Sequence, residues 1–211
     1  MHKLIYEKNL FKQGYKYIAG VDEVGRGPLA GPVVSASVLI DINFLNNIKN
    51  LKGLNDSKKT SLEDRERIFS IIHENVISVG IGVCNPKTID KINILQASLL
   101  SSNKAVLNLK TKPDIVLVDG NYKIPKLDYP QEAIVQGDAK IAIIALASVI
   151  AKVYRDKLMT KLAYKYPGYD FEKNKGYGTL YHRKKITELG PCAIHRRSFA
   201  PLKNEKSDLI L

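Results

Sequence analysis

The run Tyr17-Ile18-Ala19-Gly20-Val21-Asp22-Glu23-Val24-Gly25-Arg26-Gly27-Pro28-Leu29-Ala30-Gly31-Pro32 constrains this chain more than any other. It opens as an apolar, strand-like stretch and reaches two adjacent carboxylates. A segment rich in glycine and proline follows, then a second apolar stretch, Val33 to Ile40. The pattern predicts strand, glycine-rich turn, strand. Successive side chains of a regular strand face opposite ways, so the strand is expected to end or bulge if Asp22 and Glu23 serve one site. Gly25 and Gly27 lack a Cβ, which permits positive φ and close approach of a ligand to the backbone. Arg26 sets a permanent cation beside the two anions. Read alone, the pair is a polar hairpin turn with a surface salt bridge.

The rest of the chain interleaves strands and helices. Residues 1–16 read as a short helix or arm, and the first strand as Tyr17 to Asp22. A helix capped by Thr60 or Ser61 carries Ile68, Ile71 and Ile72 on one stripe. Val76 to Cys84 is a third strand. Asn85-Pro86 then starts a helix to about Leu109, with Ile89, Ile92, Leu95, Leu99 and Leu100 expected to face the core. Ile115 to Val118 is continuously apolar, as in the middle of an α/β sheet, and ends on Asp119-Gly120. A short strand is expected over Glu132 to Gln136. A long helix rich in Ala and Ser follows, from about Ala139 to Tyr164. The tail has one clear helix, Leu180 to Leu189, with Gly190 as its C-cap. An antiparallel start followed by alternation predicts a mixed α/β sheet flanked by helices. The expected division is a core over residues 1–165 and a small C-terminal helical extension over 166–211 packed beside it.

With 211 residues, 45% of them hydrophobic, the chain can bury a real core, so disorder is disfavoured. Its formal net charge of +12 points to an anionic partner, nucleic acid being the commonest. There is no Trp, so base or sugar stacking falls to Tyr or Phe. Cys84 and Cys192 are the only cysteines and lie far apart, which disfavours a disulfide framework or zinc site and suits a reducing cytoplasm. No apolar run reaches the length of a membrane span.

Asp22-Glu23-Val24-Gly25-Arg26-Gly27-Pro28-Leu29-Ala30-Gly31-Pro32 resembles the N-terminal signature of ribonuclease HII, the type 2 ribonucleases H. The resemblance touches segments from Tyr17 to about Pro201. It implies a ribonuclease H-like fold and four metal-binding acids: Asp22, Glu23, Asp119 and Asp138, the last in Gln136-Gly137-Asp138-Ala139-Lys140. Gathered carboxylates repel one another unless a hard cation sits among them, and Mg²⁺ or Mn²⁺ accepts such oxygen ligands. Two ions about 3.5–4 Å apart would clamp a phosphodiester for in-line displacement, leaving a 5′-phosphate and a 3′-hydroxyl. Read alone, Asp119 is a strand-end acid starting a turn and Asp138 an N-cap of the long helix. Asp156 reads as a helix-surface ion pair or a group supporting the ligands.

The resemblance further implies that Gly25-Arg26-Gly27 detects the 2′-hydroxyl that separates RNA from DNA. Asn174-Lys175-Gly176-Tyr177-Gly178-Thr179 matches the family's Lys-Gly-Tyr motif, with Tyr177 packed on the next sugar. Lys58, Lys59, Lys152, Arg155, Lys184, Lys185, Arg196 and Arg197 are candidate phosphate contacts. His195-Arg196-Arg197-Ser198-Phe199 matches a C-terminal family motif whose purpose the residues do not disclose. The implied activity is endonucleolytic cleavage of the RNA strand of RNA–DNA hybrids, including single ribonucleotides embedded in duplex DNA, by a cytoplasmic monomer. The competing readings are a non-catalytic hybrid-binding protein and another metal nuclease of the same superfold, such as a junction resolvase or integrase. The intact acid set argues against the first. The Gly-Arg-Gly turn and Tyr177 argue against the second.

Overall fold

The computed structural model describes residues 4–47 and 76–203. The helix expected after Thr60 and the candidate contacts Lys58 and Lys59 lie outside the described residues. In chain order the elements are α1 (Ile5–Lys12), β1 (Ile18–Val24), β2 (Val33–Ile40), α2 (Ile42–Asn47), β3 (Ser78–Cys84), α3 (Pro86–Leu107), β4 (Ile115–Asp119), β5 (Gln131–Ile134), α4 (Gly137–Lys140), α5 (Ala142–Lys165), α6 (Phe171–Asn174) and α7 (Leu180–Leu189). The strands form one sheet in the order β3-β2-β1-β4-β5. β1, β2 and β3 run antiparallel, whereas β1, β4 and β5 are parallel. The expected mixed sheet is therefore present.

Strand periodicity sorts β1 between two layers. Ile18 joins the cluster built on α5 (Ala142, Ile143, Leu146), while Ala19 and Val21 join a cluster with Val106 and Val116 on the other face. α5 lies close on the sheet because Gly20 presents no side chain: a Cβ there would stand 2.7 Å from Ile143.

Four expectations need correction. β1 does not end at Asp22 but continues through Val24, in unbroken register against β2 (Asp22 to Ala36, Glu23 to Ser35). α3 does not turn all its leucines inward. Non-helical torsions at Asn93 (φ 66°, ψ 168°) kink it and change the face it presents. Beyond the kink the buried positions are Ala97, Ser98, Ser101, Ser102, Ala105 and, at the end, Val106, and Leu100 is 37% exposed. The small residues win because Gly80 and Gly82 bring the helix backbone almost onto β3, where a larger side chain has no space. Leu99 and Leu100 instead line a surface groove with Pro125 and Lys126. Finally, the long helix is broken. Ile141 is extended (φ −116°, ψ 121°) and separates α4 from α5. Asp138 therefore sits within a short turn of helix and caps nothing in α5. The fourth correction concerns two arginines and follows from the site.

The start of α5 is satisfied from far away in sequence. Glu7 of α1, 1% exposed, accepts hydrogen bonds from the Ala142 N–H (2.8 Å) and the Ile143 N–H (3.3 Å) through Oε1. A carboxylate at a helix N-terminus also meets the positive end of the dipole. Burial pushes its pKa up, and the two N–H bonds oppose that shift.

The C-terminal segment packs mainly on the glycine-rich loop and α5. Tyr169, Phe171, Ile186, Ile194 and Leu202 cluster with Leu29, Ala30 and Met159. Main-chain bonds fasten the same contact: Leu29 N–H to Gly176 O (2.8 Å), Gly31 N–H to Ile194 O (2.9 Å) and Arg196 N–H to Leu29 O (2.8 Å).

Candidate active site

The parallel strands deliver the acids to one end of the sheet. The register of β1 on β4 runs from Ile18–Ile115 to Val21–Val118, so the next step sets Asp22 beside Asp119. β4 ends there. Glu23 projects beyond the end of its neighbour, which is why two adjacent strand residues reach one site without a bulge. In open α/β sheets the crevice beyond the carboxyl ends of the strands is where ligands bind. Here that crevice is a cavity of about 440 Å³ lined by Asp22, Glu23, Val24, Asp119, Asp138, Ser148, Lys152 and Tyr177. The structure thus brings together all four candidate acids and the candidate tyrosine.

Each acid is held by its own neighbourhood. Asp22 Oδ1 accepts from the Glu23 N–H at 2.6 Å. Glu23 Oε1 pairs with Arg26 Nη1 at 3.2 Å. Asp119 Oδ1 accepts from the N–H groups of Gly137 (2.6 Å) and Asp138 (3.4 Å), which ties the end of β4 to α4 and keeps Asp138 in the cavity wall. Gly137 allows this approach, since a Cβ there would stand 2.7 Å from Ile144 Cδ1 and 3.2 Å from Asp119 Oδ1. Burial raises the pKa of Asp22 to about 8, and the Glu23 and Asp119 charges add to the shift while the Ser148 hydroxyl opposes it. Burial likewise pushes Glu23 and Asp119 up, with Arg26 opposing in the first case and the Gly137 N–H in the second.

Among the described residues no three His, Cys, Asp or Glu side chains are already disposed as a cage for an ion. The donor chemistry still fits a hard divalent cation. The four acids lining the cavity offer only oxygen, and neither histidine nor cysteine lines it. Their mutual repulsion is what a cation would relieve.

One group in the wall, Ser148, escaped the sequence reading as a site residue, whereas Lys152 was a candidate phosphate contact. Ser148 lies four residues before Lys152 on α5, so both face the cavity. The signal was a hydroxyl and a cation at helical spacing in an otherwise apolar run. Lys152 Nζ is paired with Asp156 Oδ1 at 2.8 Å, which leaves Asp156 as the helix ion pair expected of it.

The substrate-reading candidates also meet. Tyr177 is 43% exposed, and its Cε1 lies 4.0 Å from where a Cβ on Gly27 would be. Lys184 and Lys185 pair with Glu188 on α7. Arg155 and Arg196 are not phosphate contacts, because both are fully buried. Arg155 donates to Pro32 O, Ala30 O and Lys175 O at 2.9, 3.2 and 3.0 Å. Arg196 donates to Gly31 O, Arg26 O and Gly25 O at 3.0, 2.9 and 2.5 Å. A guanidinium can serve several carbonyls at once, and the bent loop offers carbonyls that no strand partner takes.

The purpose of His195-Arg196-Arg197-Ser198 is then apparent. The Cys192 N–H donates to His195 Nδ1 (3.0 Å), so the His195 proton sits on Nε2 and faces His182 Nε2 (3.1 Å). His182 is left to donate from Nδ1 to Tyr177 O (2.8 Å). Both rings are kept neutral, with burial lowering His182 and bringing His195 to about 4. Arg196 grips the glycine turn. The Arg197 N–H and the Ser198 N–H fix the segment to Asp90 at 3.0 and 2.9 Å. The motif binds Tyr177 and the turn into one unit.

A mixed sheet that gathers carboxylates at its parallel strand ends, flanked by helices, defines a ribonuclease H-like α/β protein. The crystal structure of the ribonuclease H2 from Pyrococcus horikoshii OT3 superimposes with a TM-score of 0.70 at 30% identity, over 89% of this chain and 95% of that one. The family model for ribonuclease HII matches residues 19–202. Ribonuclease HII of Endomicrobium trichonymphae is 47% identical over 94% of this chain and 92% of its own length. That of Caldicellulosiruptor saccharolyticus is 49% identical over 94% and 93%. The chain belongs to the ribonuclease HII family and is a ribonuclease H.

Proposed function

We propose that this protein is an endonuclease that cuts the RNA strand of RNA–DNA hybrids, including single ribonucleotides embedded in duplex DNA. The reading is carried by one observation: Asp22, Glu23, Asp119, Asp138 and Tyr177 line a single cavity beside the Gly25-Arg26-Gly27 turn. The four acids would hold two divalent ions, Mg²⁺ or Mn²⁺. When bound, such ions activate water and stabilise the leaving 3′ oxygen, leaving a 5′-phosphate and a 3′-hydroxyl. The chain's own groups do the placing. Asp119, pinned by the α4 amides, keeps its carboxylate aimed at the cavity. Ser148 orients Asp22, and Lys152 offers a cation to a phosphate oxygen. The turn meets the ribose edge of the nucleotide before the cut, and the Tyr177 ring packs on the sugar after it. Lys58 is retained as a further phosphate contact.

We take residues 1–165 as the catalytic core and 166–211 as the extension that sets Tyr177. The protein would act as a cytoplasmic monomer. The free thiols of Cys84 and Cys192 suit a reducing cytoplasm, and no described helix is long and apolar enough to cross a membrane. The test is cleavage of duplex DNA carrying one ribonucleotide, and of an all-RNA hybrid strand, with Mg²⁺, Mn²⁺ and EDTA in parallel. The reading requires metal-dependent cutting of ribonucleotide-containing duplex alone. Equal cutting of all-DNA duplex, or activity in EDTA, would overturn the reading.

A further inference from the structure

The turn between β1 and β2 rests on two guanidiniums, those of Arg155 and Arg196, each 0% exposed. Among the described residues neither forms an ion pair with a carboxylate, so each buried charge is met by three carbonyl dipoles and one ring face, Tyr177 for Arg155 and Phe199 for Arg196. A buried cation is costly, and neutral donors could have satisfied the same carbonyls. What separates the two arginines is the peptide groups they hold.

Arg196 bonds the carbonyls of Gly25 and Arg26. Those carbonyls belong to the same peptide groups as the N–H of Arg26 and the N–H of Gly27. Among the described residues Ala200–Pro201 is the only cis bond, so both of these peptides are trans. In a trans peptide C=O and N–H point in opposite directions. The two N–H groups are therefore aimed away from Arg196, toward the side on which Arg26 and Gly27 are exposed and Gly27 adjoins Tyr177. A cation at the oxygen also draws electron density from the amide nitrogen and strengthens the N–H as a donor. Among the described residues neither N–H donates to an internal acceptor.

We propose that Arg196 is a positioning residue for sugar recognition: it holds and polarises the Arg26 and Gly27 N–H groups as a pair of donors to the 2′ oxygen of a ribonucleotide. This rests on the reading of the turn given above. Arg155 supplies the comparison. It packs against Gly25 but donates its hydrogen bonds to Ala30, Pro32 and Lys175, and to neither of these peptides. Its loss slackens the loop without depolarising the donors.

The experiment measures binding in Ca²⁺, without turnover, to two duplexes identical but for one ribonucleotide. The proteins are the wild type, Arg196→Lys and Arg155→Lys. Lysine keeps the charge but cannot fork across two carbonyls. The expected result is that Arg196→Lys loses about tenfold of the preference for the ribonucleotide duplex, the scale of one or two neutral hydrogen bonds, and keeps its all-DNA affinity. Arg155→Lys keeps the preference even where it weakens both complexes. An unchanged preference in Arg196→Lys, or an equal loss in both variants, overturns the inference. A wild type with no preference overturns the reading of the turn itself. Should Arg196→Lys fail to fold, amide NMR of the wild type decides. The Arg26 and Gly27 amide protons should move downfield with the ribonucleotide duplex alone, and equal shifts with both duplexes overturn the inference.

Discussion

Gly25 and Gly27 stand two residues apart in one turn, yet alanine should act oppositely on stability at the two positions. Gly25 has φ +92°, and a Cβ there would overlap Arg155 Nε and stand 2.7 Å from its Cδ and 2.9 Å from Pro32 O. The left-handed backbone costs about 1–2 kcal/mol for an alanine. Displacing Arg155 breaks part of a set of three buried hydrogen bonds, at about 1–3 kcal/mol for each carbonyl left unpaired. Gly25→Ala should therefore lose about 3–5 kcal/mol, or roughly 10 °C or more of Tm in a chain of this size. Gly27 is outside the left-handed region, and its Cβ would meet only Tyr177 Cε1, at 4.0 Å. There alanine should be neutral or stabilise by about 0.4–1 kcal/mol through the unfolded state. The added methyl nevertheless sits between turn and tyrosine, where the proposed ribose contact falls. Thermal melts and urea curves read the stabilities. Single-turnover cleavage of a duplex with one ribonucleotide reads the site. Gly27→Ala should be folded and slow by at least tenfold. A Gly27→Ala protein that cuts at the wild-type rate, or a Gly25→Ala protein that melts with the wild type, would refute the reasoning.

Asp119→Asn should keep the fold, since the amide oxygen can still accept from Gly137, and should abolish cleavage; near wild-type turnover in Mg²⁺ would sink its assignment. Tyr177→Ala should slow cleavage at an RNA-to-DNA junction more than it weakens binding, because small misplacements cost rate heavily, and Tyr177→Phe should retain more activity. If the alanine variant cuts both substrates at the wild-type rate and ratio, Tyr177 is a packing residue. Asp22, raised from 3.8 to about 8, holds its proton longer folded than unfolded, so metal-free protein should lose stability as pH rises between about 4 and 8. Melts in EDTA should show that slope in the wild type and a flatter one in Asp22→Asn; identical slopes would refute it. Glu7→Ala should cost about 2–4 kcal/mol by leaving the Ala142 and Ile143 N–H groups buried without a partner, with Glu7→Gln close to wild type in urea. An alanine variant as stable as the wild type would show that α5 needs no cap from α1.

Local chemistry was legible in the residues themselves. Continuous apolar runs marked β2 and β4, Asn85-Pro86 marked the start of α3, and Gly190 marked the end of α7, because strand burial, helix caps and proline act within a few residues. The signature turn, the strand-end aspartate and the Lys-Gly-Tyr segment carried the acids, the glycine turn and Tyr177. Distances through space were not legible. The residues do not say that β4 stops beside Asp22, yet that stop lets Glu23 share the cavity without a bulge. Burial of two glycines against a helix backbone overrode the leucine stripe of α3, because packing outweighs periodicity once backbones touch. Charge misled in the same way. Arg155 and Arg196 look like phosphate ligands in a chain of net charge +12, and only the tertiary structure turns them inward, because a loop without strand partners leaves carbonyls that a guanidinium satisfies. Glu7 is the converse. Nothing in the first helix marks it, and its role exists only where the chain folds the start of α5 against it, 135 residues away.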